Sequence, residues 1–132
     1  LICVLISNCL GMNFVYVRVV GTLYCSTPFE YHIYLVEDDT FIDDQIDFTR
    51  SRRTNGSVEQ YDVHGWAVEV EPFNNQVEPY LMIYHNCGGV SRCVCKEWSG
   101  IENDVNLTFD VDLETDDAMC GKCRKWNNRY RW

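Results

Sequence analysis

The sequence is poor in the residues that interrupt packed structure and in positive charge. Only three prolines and eight glycines occur in 132 residues, which excludes a collagen-like repeat and a disordered chain. Eleven basic residues stand against twenty acidic ones, so the formal net charge is −9. That balance argues against a general nucleic-acid binder, whose surface must neutralise phosphates. With 46% hydrophobic residues, the chain is expected to fold as one globular domain.

Helical periodicity is also missing, and alternation with a period of two takes its place. No segment repeats apolar residues every 3.6 positions over three turns, and 70–77 is the best candidate for a short helix. Strands are predicted at 14–24, 31–36, 80–85 and 105–113. Turn signals leave room for seven or eight strands, and Asn55-Gly56 predicts a hairpin that joins 47–53 to 57–63. The expected fold is all-β: an antiparallel sandwich or open barrel with at most one short helix.

Residues 1–11 form an apolar run that is too short to cross a bilayer. Cys9 and Gly11 occupy the small-residue positions before a cleavage site at Met12, which predicts a secretory signal peptide whose basic n-region is missing. A buried first strand is the alternative interpretation. The expected organisation is therefore a signal peptide at 1–11, a β-sandwich at 12–121 and a tail at 122–132, in a secreted, extracellular protein.

Cysteines and glycosylation triplets support export. Asn55 and Asn106 both begin N-glycosylation acceptor triplets. An even set of cysteines in a small secreted domain predicts up to three disulfides of open connectivity; the set is Cys25, Cys87, Cys93, Cys95, Cys120 and Cys123. Cys93 and Cys95 need separate partners, because residues two apart on a strand lie about 6–7 Å from each other. A zinc site built from the later cysteines is the alternative.

The last eleven residues carry a concentrated positive charge. Five basic residues and no acidic residue make this tail +5, and the remaining six basic and twenty acidic residues make the rest −14. Aromatic rings alternate with the cations, a combination that suits the headgroup layer of a membrane. The candidate lipid-binding residues are Lys122, Arg124, Lys125, Trp126, Arg129, Tyr130, Arg131 and Trp132, together with Arg50, Arg52 and Arg53 from the predicted hairpin. A solvated tail, or one paired with the acidic body, is the alternative.

An acidic segment offers a second route to a lipid headgroup. Carboxylates at Glu37, Asp38, Asp39, Asp43 and Asp44, with Asp47 close behind, could supply oxygen ligands to Ca²⁺. The segment lacks the glycine of an EF-hand loop, and a structural turn held by carboxylate hydrogen bonds is the favoured interpretation. No other metal or cofactor is expected.

Four landmarks in order along the chain resemble the nematode transthyretin-like family. They are 21–25 (GTLYC), 36–44 (VEDDTFIDD), 54–56 (TNG) and 81–87 (LMIYHNC), and the resemblance covers about 16–113. It implies a secreted transthyretin-type sandwich that binds other molecules and has no assigned catalysis. The basic aromatic tail and the added cysteine pairs look most like members that recognise phosphatidylserine on apoptotic cells and bridge it to a phagocyte engulfment receptor.

Two other functions are considered with this resemblance. A transthyretin-like carrier would hold a small apolar ligand in a homodimer, for which a long edge strand at 105–113 is a candidate interface. The fold also hosts a ring-opening hydrolase whose resemblance implies two histidines and a C-terminal Tyr-Arg-Gly-Ser; here Tyr130 and Arg131 are followed by Trp132. His32 and His85 fall inside strand patterns, as packed residues do, so the protein is not expected to be an enzyme.

Overall fold

The computed structural model describes residues 12–38, 44–70, 76–115 and 119–123. Nine β-strands and two short 3₁₀ turns, Cys87–Gly89 and Cys120–Lys122, lie in these ranges. The strands are β1 (Met12–Tyr24), β2 (Glu30–Glu37), β3 (Asp44–Phe48), β4 (Arg52–Arg53), β5 (Val58–Val70), β6 (Pro79–His85), β7 (Arg92–Glu97), β8 (Val105–Thr108) and β9 (Val111–Asp112). None of the described helical turns has the length or apolar character needed to cross a membrane.

The strands form two sheets that pack as a sandwich, which confirms the predicted fold class. Sheet A has the order β5-β1-β8, with β9 also paired to β1, and sheet B has the order β3-β2-β6-β7, with β4 also paired to β2. β1 and β5 pair antiparallel along 13 residues each, from Met12↔Val70 to Tyr24↔Val58. β8 and β9 run parallel to β1, while the described pairs within sheet B are antiparallel.

The core lies between the sheets and follows from the alternation of apolar residues. In β1 the odd-numbered positions face sheet B, and in β2 and β6 the odd-numbered positions face sheet A. The fully buried side chains of this core include Val15, Val17, Val19, Leu23, Ile33, Leu35, Leu81 and Ile83. The even-numbered positions of β1 and β5 are left on an outer face.

Gly21 continues the inward row of β1 at a point where another segment crosses closely. A Cβ atom at this position would stand 1.9 Å from the carbonyl oxygen of Phe109 and 2.7 Å from the Tyr61 hydroxyl. The Tyr61 hydroxyl donates to that same carbonyl at 2.5 Å. Only glycine leaves room for this contact, which holds the connection between β8 and β9 against β1.

Three local predictions are corrected by the pairing. The predicted hairpin around Asn55-Gly56 is wrong, because β4 pairs with β2 in sheet B whereas β5 pairs with β1 in sheet A. The strand predicted at 105–113 is broken into β8 and β9. Of the helix predicted at 70–77, Val70 ends β5 and Val77 forms a β-bridge with Ile101; 71–75 lie outside the described residues.

A disulfide joins the two sheets at one end of the sandwich. Cys25, directly after β1, is bonded to Cys87, two residues after β6, at a sequence separation of 62. Closing a loop of this length in the unfolded chain stabilises the fold by about 4 kcal/mol in the chain-entropy model.

Candidate functional site

The outer face of sheet B carries a second apolar cluster, separate from the core. It consists of the buried residues Val36, Tyr80, Met82, Cys95 and Cys120 with the partly buried Tyr34, Tyr84, Cys93 and Cys123 packed against them. We call these nine residues the sheet-B cluster. Segment 119–123 adds Cys120 and Cys123 to this cluster and is held to the edge strand β7 by the bridge Val94↔Met119. A segment from near the C-terminal end of the chain therefore takes part in the apolar packing on this outer face.

Two disulfides fasten segment 119–123 to β7. Cys93 is bonded to Cys120 and Cys95 to Cys123. Residues two apart on a strand point to the same face about 6.6 Å from each other, and residues three apart on a 3₁₀ turn eclipse with a rise of about 6 Å. The Cys120–Lys122 turn, closed by a 3.0 Å hydrogen bond from the Cys123 N–H to the Cys120 carbonyl, therefore matches the strand spacing.

This connectivity decides between the interpretations of the cysteines. Cys93 and Cys95 have separate partners, as predicted, and all six predicted disulfide cysteines form bridges. The zinc alternative is wrong, because no free cysteine remains among the described residues. The pairing itself could have been suspected from the matched spacings Cys-x-Cys and Cys-x-x-Cys, a signal that the sequence analysis did not use.

Most of the predicted lipid-binding tail lies outside the described residues. The structure places the backbone of Lys122 in the 3₁₀ turn, and the description ends at Cys123. The candidates that follow are Arg124, Lys125, Trp126, Arg129, Tyr130, Arg131 and Trp132. What the structure does place is the point from which this tail continues: the disulfide-bonded Cys123 on the outer face of sheet B.

The predicted cationic arm lies on the same sheet. Arg50, Arg52 and Arg53 are all exposed, on the edge of sheet B rather than on a hairpin arm. The Arg53 guanidinium forms an ion pair with Glu30 (Nη1–Oε1, 3.0 Å), and both side chains are largely exposed. Arg50 and Arg52 have no described ion pair, which leaves their guanidinium groups available to an anionic partner.

Aromatic rings continue the sheet-B cluster toward the arginine arm. His32 stacks on Tyr84 with centroids 4.9 Å apart, and Tyr34 meets Tyr84 edge to face at 5.9 Å. Phe48 stacks on Tyr34 and is 49% exposed. Burial lowers the pKa of His32 below its usual value, so this ring is neutral near pH 7. The face thus combines an aromatic surface with cations along its edge.

The structure places only part of the acidic segment predicted as a Ca²⁺ site. Glu37 is fully buried in β2 and Asp38 is partly buried, whereas 39–43 and the Asp44 side chain lie outside the described residues. The Asp47 carboxylate accepts hydrogen bonds from the backbone N–H of His64 (2.9 Å) and of Phe48 (2.8 Å). Asp47 therefore joins β3 to the edge of β5, whereas the turn predicted for the acidic segment falls largely on 39–43, outside the described residues.

The three histidines are distributed over three different faces. His32 lies on the outer face of sheet B, His85 on its inner face and His64 on the outer face of sheet A. His64 is exposed beside Asp62 (Nδ1–Oδ1, 3.2 Å), and the Arg18 guanidinium lowers the pKa of Asp62 to about 2. His64 lies apart from the other two histidines, whereas His32 and His85 both line one open pocket at the β4 end of sheet B.

Two open pockets lie among the described residues. The larger, of about 580 Å³, lies among Arg18, Thr49, Gln60 and Asp62. The smaller, of about 300 Å³, lies at the β4 end of sheet B. A carrier of an apolar ligand needs a mostly apolar, enclosed cavity, and both of these pockets are open to solvent.

An aromatic patch on the outer face of sheet A was missed by the sequence analysis. Trp66 is 60% exposed and Phe14 is 48% exposed, and Tyr16 packs edge to face on Trp66 at 5.3 Å. The signal was available, because Phe14 and Tyr16 take even-numbered positions of the predicted strand 14–24, opposite to Val15, Val17 and Val19. Arg18 and Asp62 continue the patch along the sheet, and the Arg18 Nε and Nη2 atoms both donate to the Asp62 carboxylate.

Comparison of the chain with protein-family models, with curated proteins and with solved structures found no match. The transthyretin-like resemblance is thus carried by the sequence landmarks alone. Three disulfides in a small β-domain are compatible with an extracellular protein.

Proposed function

We propose that this protein is a secreted, non-enzymatic bridging protein that binds exposed phosphatidylserine on apoptotic cells and links it to a phagocyte engulfment receptor. The observation that carries the proposal is the double disulfide attachment of segment 119–123 to the outer face of sheet B. Because of this attachment, the cationic aromatic tail continues from a fixed point on a rigid face.

Charge supports an anionic membrane as the target. The tail has five basic residues and no acidic residue. Each Lys or Arg near a leaflet that contains phosphatidylserine contributes about 1 kcal/mol of attraction. Tryptophan and tyrosine prefer the headgroup layer, where an apolar ring and a polar edge are both accommodated. Cations and rings in one segment therefore suit that layer better than bulk water.

The tail and the arginine arm can act on one surface. From Cys95 on β7 to Arg53 on β4 there are three inter-strand steps and four residues along the strands, a distance of about 20 Å. The nine residues after Cys123 can span about 30 Å when extended. Arg50 and Arg52 are therefore within reach of the same headgroup layer as the tail.

Secretion is supported by the disulfides and by the positions of the glycosylation triplets. Three bridges are favoured in an oxidising compartment, and Asn55 and Asn106 are both exposed. The engulfment receptor and a homodimer follow from the family resemblance. In a dimer, two lipid-binding faces would convert modest affinity into longer residence on a membrane.

The dimer interface considered first is not supported. An edge strand at 105–113 would offer a long row of backbone groups to a second copy, but β8 and β9 have four and two residues. The carrier function that depends on such a dimer is correspondingly less favoured than membrane binding.

The test is co-sedimentation of the mature, disulfide-bonded chain with vesicles of phosphatidylcholine alone and with added phosphatidylserine. We expect binding only to the phosphatidylserine vesicles, and loss of binding when Lys122, Arg124, Lys125, Arg129 and Arg131 are changed to Glu. The matched control is Lys96→Glu, an exposed cation of β7 outside the proposed surface, which should bind as the parent does. Binding that the tail variant retains would overturn the proposed role of the tail.

A second arm of the experiment tests the headgroup. Vesicles with phosphatidylglycerol carry the same surface charge without the serine amine and carboxylate. Weaker binding to them at equal charge is expected if Arg50 and Arg52 form bidentate contacts with the serine headgroup. Equal binding to both lipids would reduce the proposed function to general attraction by anionic membranes.

A further inference from the structure

The aromatic patch on the outer face of sheet A lies beside an N-glycosylation triplet. β8 pairs with β1 in the register Arg18↔Asn106 and Val20↔Thr108, and β5 pairs with β1 in the register Arg18↔His64 and Tyr16↔Trp66. Asn106 and Thr108 are exposed, whereas the alternate residues Val105 and Leu107 pack against the core. Asn106 therefore projects from the same face as Tyr16, Arg18 and Trp66.

The register also gives the separation. Two inter-strand steps and two residues along the strand separate Asn106 from Trp66, about 12 Å between their Cα atoms. β8 is the edge strand of sheet A, so Asn106 is accessible from the side as well as from the face. No described hydrogen bond holds its amide, which leaves the nitrogen available for a glycosidic bond.

We propose that Asn106 carries an N-linked glycan whose first sugars lie across the outer face of sheet A, over Tyr16, Trp66 and Phe14. This inference rests on the proposed function only in that it requires a secreted chain. The attachment forms a bond between the Asn106 amide nitrogen and the anomeric carbon of a lipid-linked oligosaccharide, and the lipid pyrophosphate leaves.

The chemistry of the face suits this occupant. Sugar rings present C–H groups on one side, which pack on exposed aromatic rings, and hydroxyls around the rim, which pair with charged groups. Trp66 at 60% exposure and Phe14 at 48% supply the rings, while the Arg18 and Asp62 pair supplies donors and acceptors in the next rows. With sheet A covered, a membrane would meet the other side of the sandwich, from which the tail and the arginine arm project.

The proposed experiment uses the full chain, secreted from a eukaryotic cell behind a heterologous signal peptide, so that native secretion is not under test. Glycopeptide mass spectrometry locates the modification. Hydroxyl-radical footprinting then measures the reactivity of Phe14, Tyr16 and Trp66 before and after enzymatic removal of the glycan from the folded protein. The variant Asn55→Gln, which leaves Asn106 as the candidate acceptor, is the main sample.

We expect a glycopeptide that contains Asn106, and a several-fold rise in Trp66 labelling when the glycan is removed. Labelling of Phe48, exposed on sheet B, should stay unchanged and serves as the internal control. In the variant Asn106→Gln, Trp66 should be labelled strongly whether or not Asn55 is glycosylated. If Asn106→Gln is not secreted, Thr108→Val removes the same triplet and should give the same result.

An unmodified Asn106 in the secreted protein overturns the inference, and so does a glycan whose removal leaves Trp66 labelling unchanged. Vesicle binding by the enzymatically deglycosylated protein separates this inference from the proposed function. Tail-dependent binding with an unmodified Asn106 would overturn the glycan alone. A modified Asn106 without any vesicle binding would overturn lipid recognition alone.

Discussion

At the scale of single residues, His85 shows how burial determines a titration. It lies on the inner face of sheet B with 5% of its surface exposed, and the Cys87 N–H donates to its Nδ1 at 3.1 Å. Among the described residues, Nε2 has no hydrogen-bond partner. Burial, together with the nearby charge of Arg92, lowers the pKa of His85 to about 4.

This pKa predicts a loss of stability in mild acid. The unfolded chain binds a proton at His85 near pH 6.5 and the folded chain only near pH 4, so the unfolded state gains protons first as the pH falls. Between pH 7 and pH 4.5 the free energy of unfolding should drop by about 2 kcal/mol more in the parent than in His85→Gln. Denaturant unfolding at the two pH values measures the difference.

Two other titrating groups do not obscure this result. The carboxyl of Asp62, with its pKa at about 2, loses its contribution only at lower pH. His32 titrates in both proteins, so its effect cancels. An NMR titration of the His85 ring with a midpoint near pH 6.5 would contradict the assignment of a buried, neutral imidazole.

At the scale of elements, the two outer disulfides should act unequally when they are removed in turn. With Cys95–Cys123 intact, removing Cys93–Cys120 opens only a small ring, at a cost of about 2 kcal/mol. Removing the second bridge releases a loop of 28 residues and should cost about 3–4 kcal/mol more. Paired Cys→Ser variants in chemical denaturation, with Cys25–Cys87 intact throughout, give these values.

Exposure of the sheet-B cluster is the structural signature of that loss. Val36, Tyr80 and Met82 are each at most 5% exposed, and they form one cluster with Cys120 of segment 119–123. A dye that fluoresces on apolar surfaces should bind the variant that lacks both outer disulfides. It should not bind the variants that keep one of them. If the dye does not fluoresce with the variant that lacks both outer disulfides, packing alone holds segment 119–123 in place.

Local sequence signals predicted these elements better than their partners. The alternation in β1, β2 and β6 correctly placed strands and their buried rows. The turn signal at Asn55-Gly56 did not identify which strands pair, because β5 finds a partner of equal length in β1, at 13 residues each. The break in 105–113 depends on Phe109 lying against Gly21 and Tyr61, a tertiary contact that no local pattern contains.

The candidate site divides in the same way. Because Cys93 and Cys95 lie two residues apart on β7, they were predicted to have different partners. Identifying those partners required the 3₁₀ turn of segment 119–123 and its bridge to β7. Arg50, Arg52 and Arg53 are exposed, but the pairing of Arg52 and Arg53 with β2 did not follow from the predicted hairpin. Composition predicts which groups are available, and packing decides where they meet.

At the scale of the whole molecule, charge is separated along the chain. The tail carries +5 and the remainder −14, so an anionic membrane attracts one part of the molecule and repels the other. The attachment of segment 119–123 to an outer face would allow the tail to approach a membrane ahead of the acidic body. The proposed binding is long-range and electrostatic, which distinguishes it from a Ca²⁺ bridge through the acidic segment.

Salt and chelator therefore separate the two mechanisms. Raising the ionic strength from about 0.1 M to about 1 M shortens the Debye length from about 10 Å to about 3 Å. Binding to phosphatidylserine vesicles should fall steeply over this range and should not respond to a Ca²⁺ chelator at constant ionic strength. The tail variant with five Glu substitutions should show neither binding nor salt dependence, while Lys96→Glu should follow the parent curve. If chelation abolished binding and Asp39→Asn with Asp43→Asn did the same, the acidic segment would replace the tail as the contact with the headgroup, because Ca²⁺ needs carboxylate oxygens that the tail lacks.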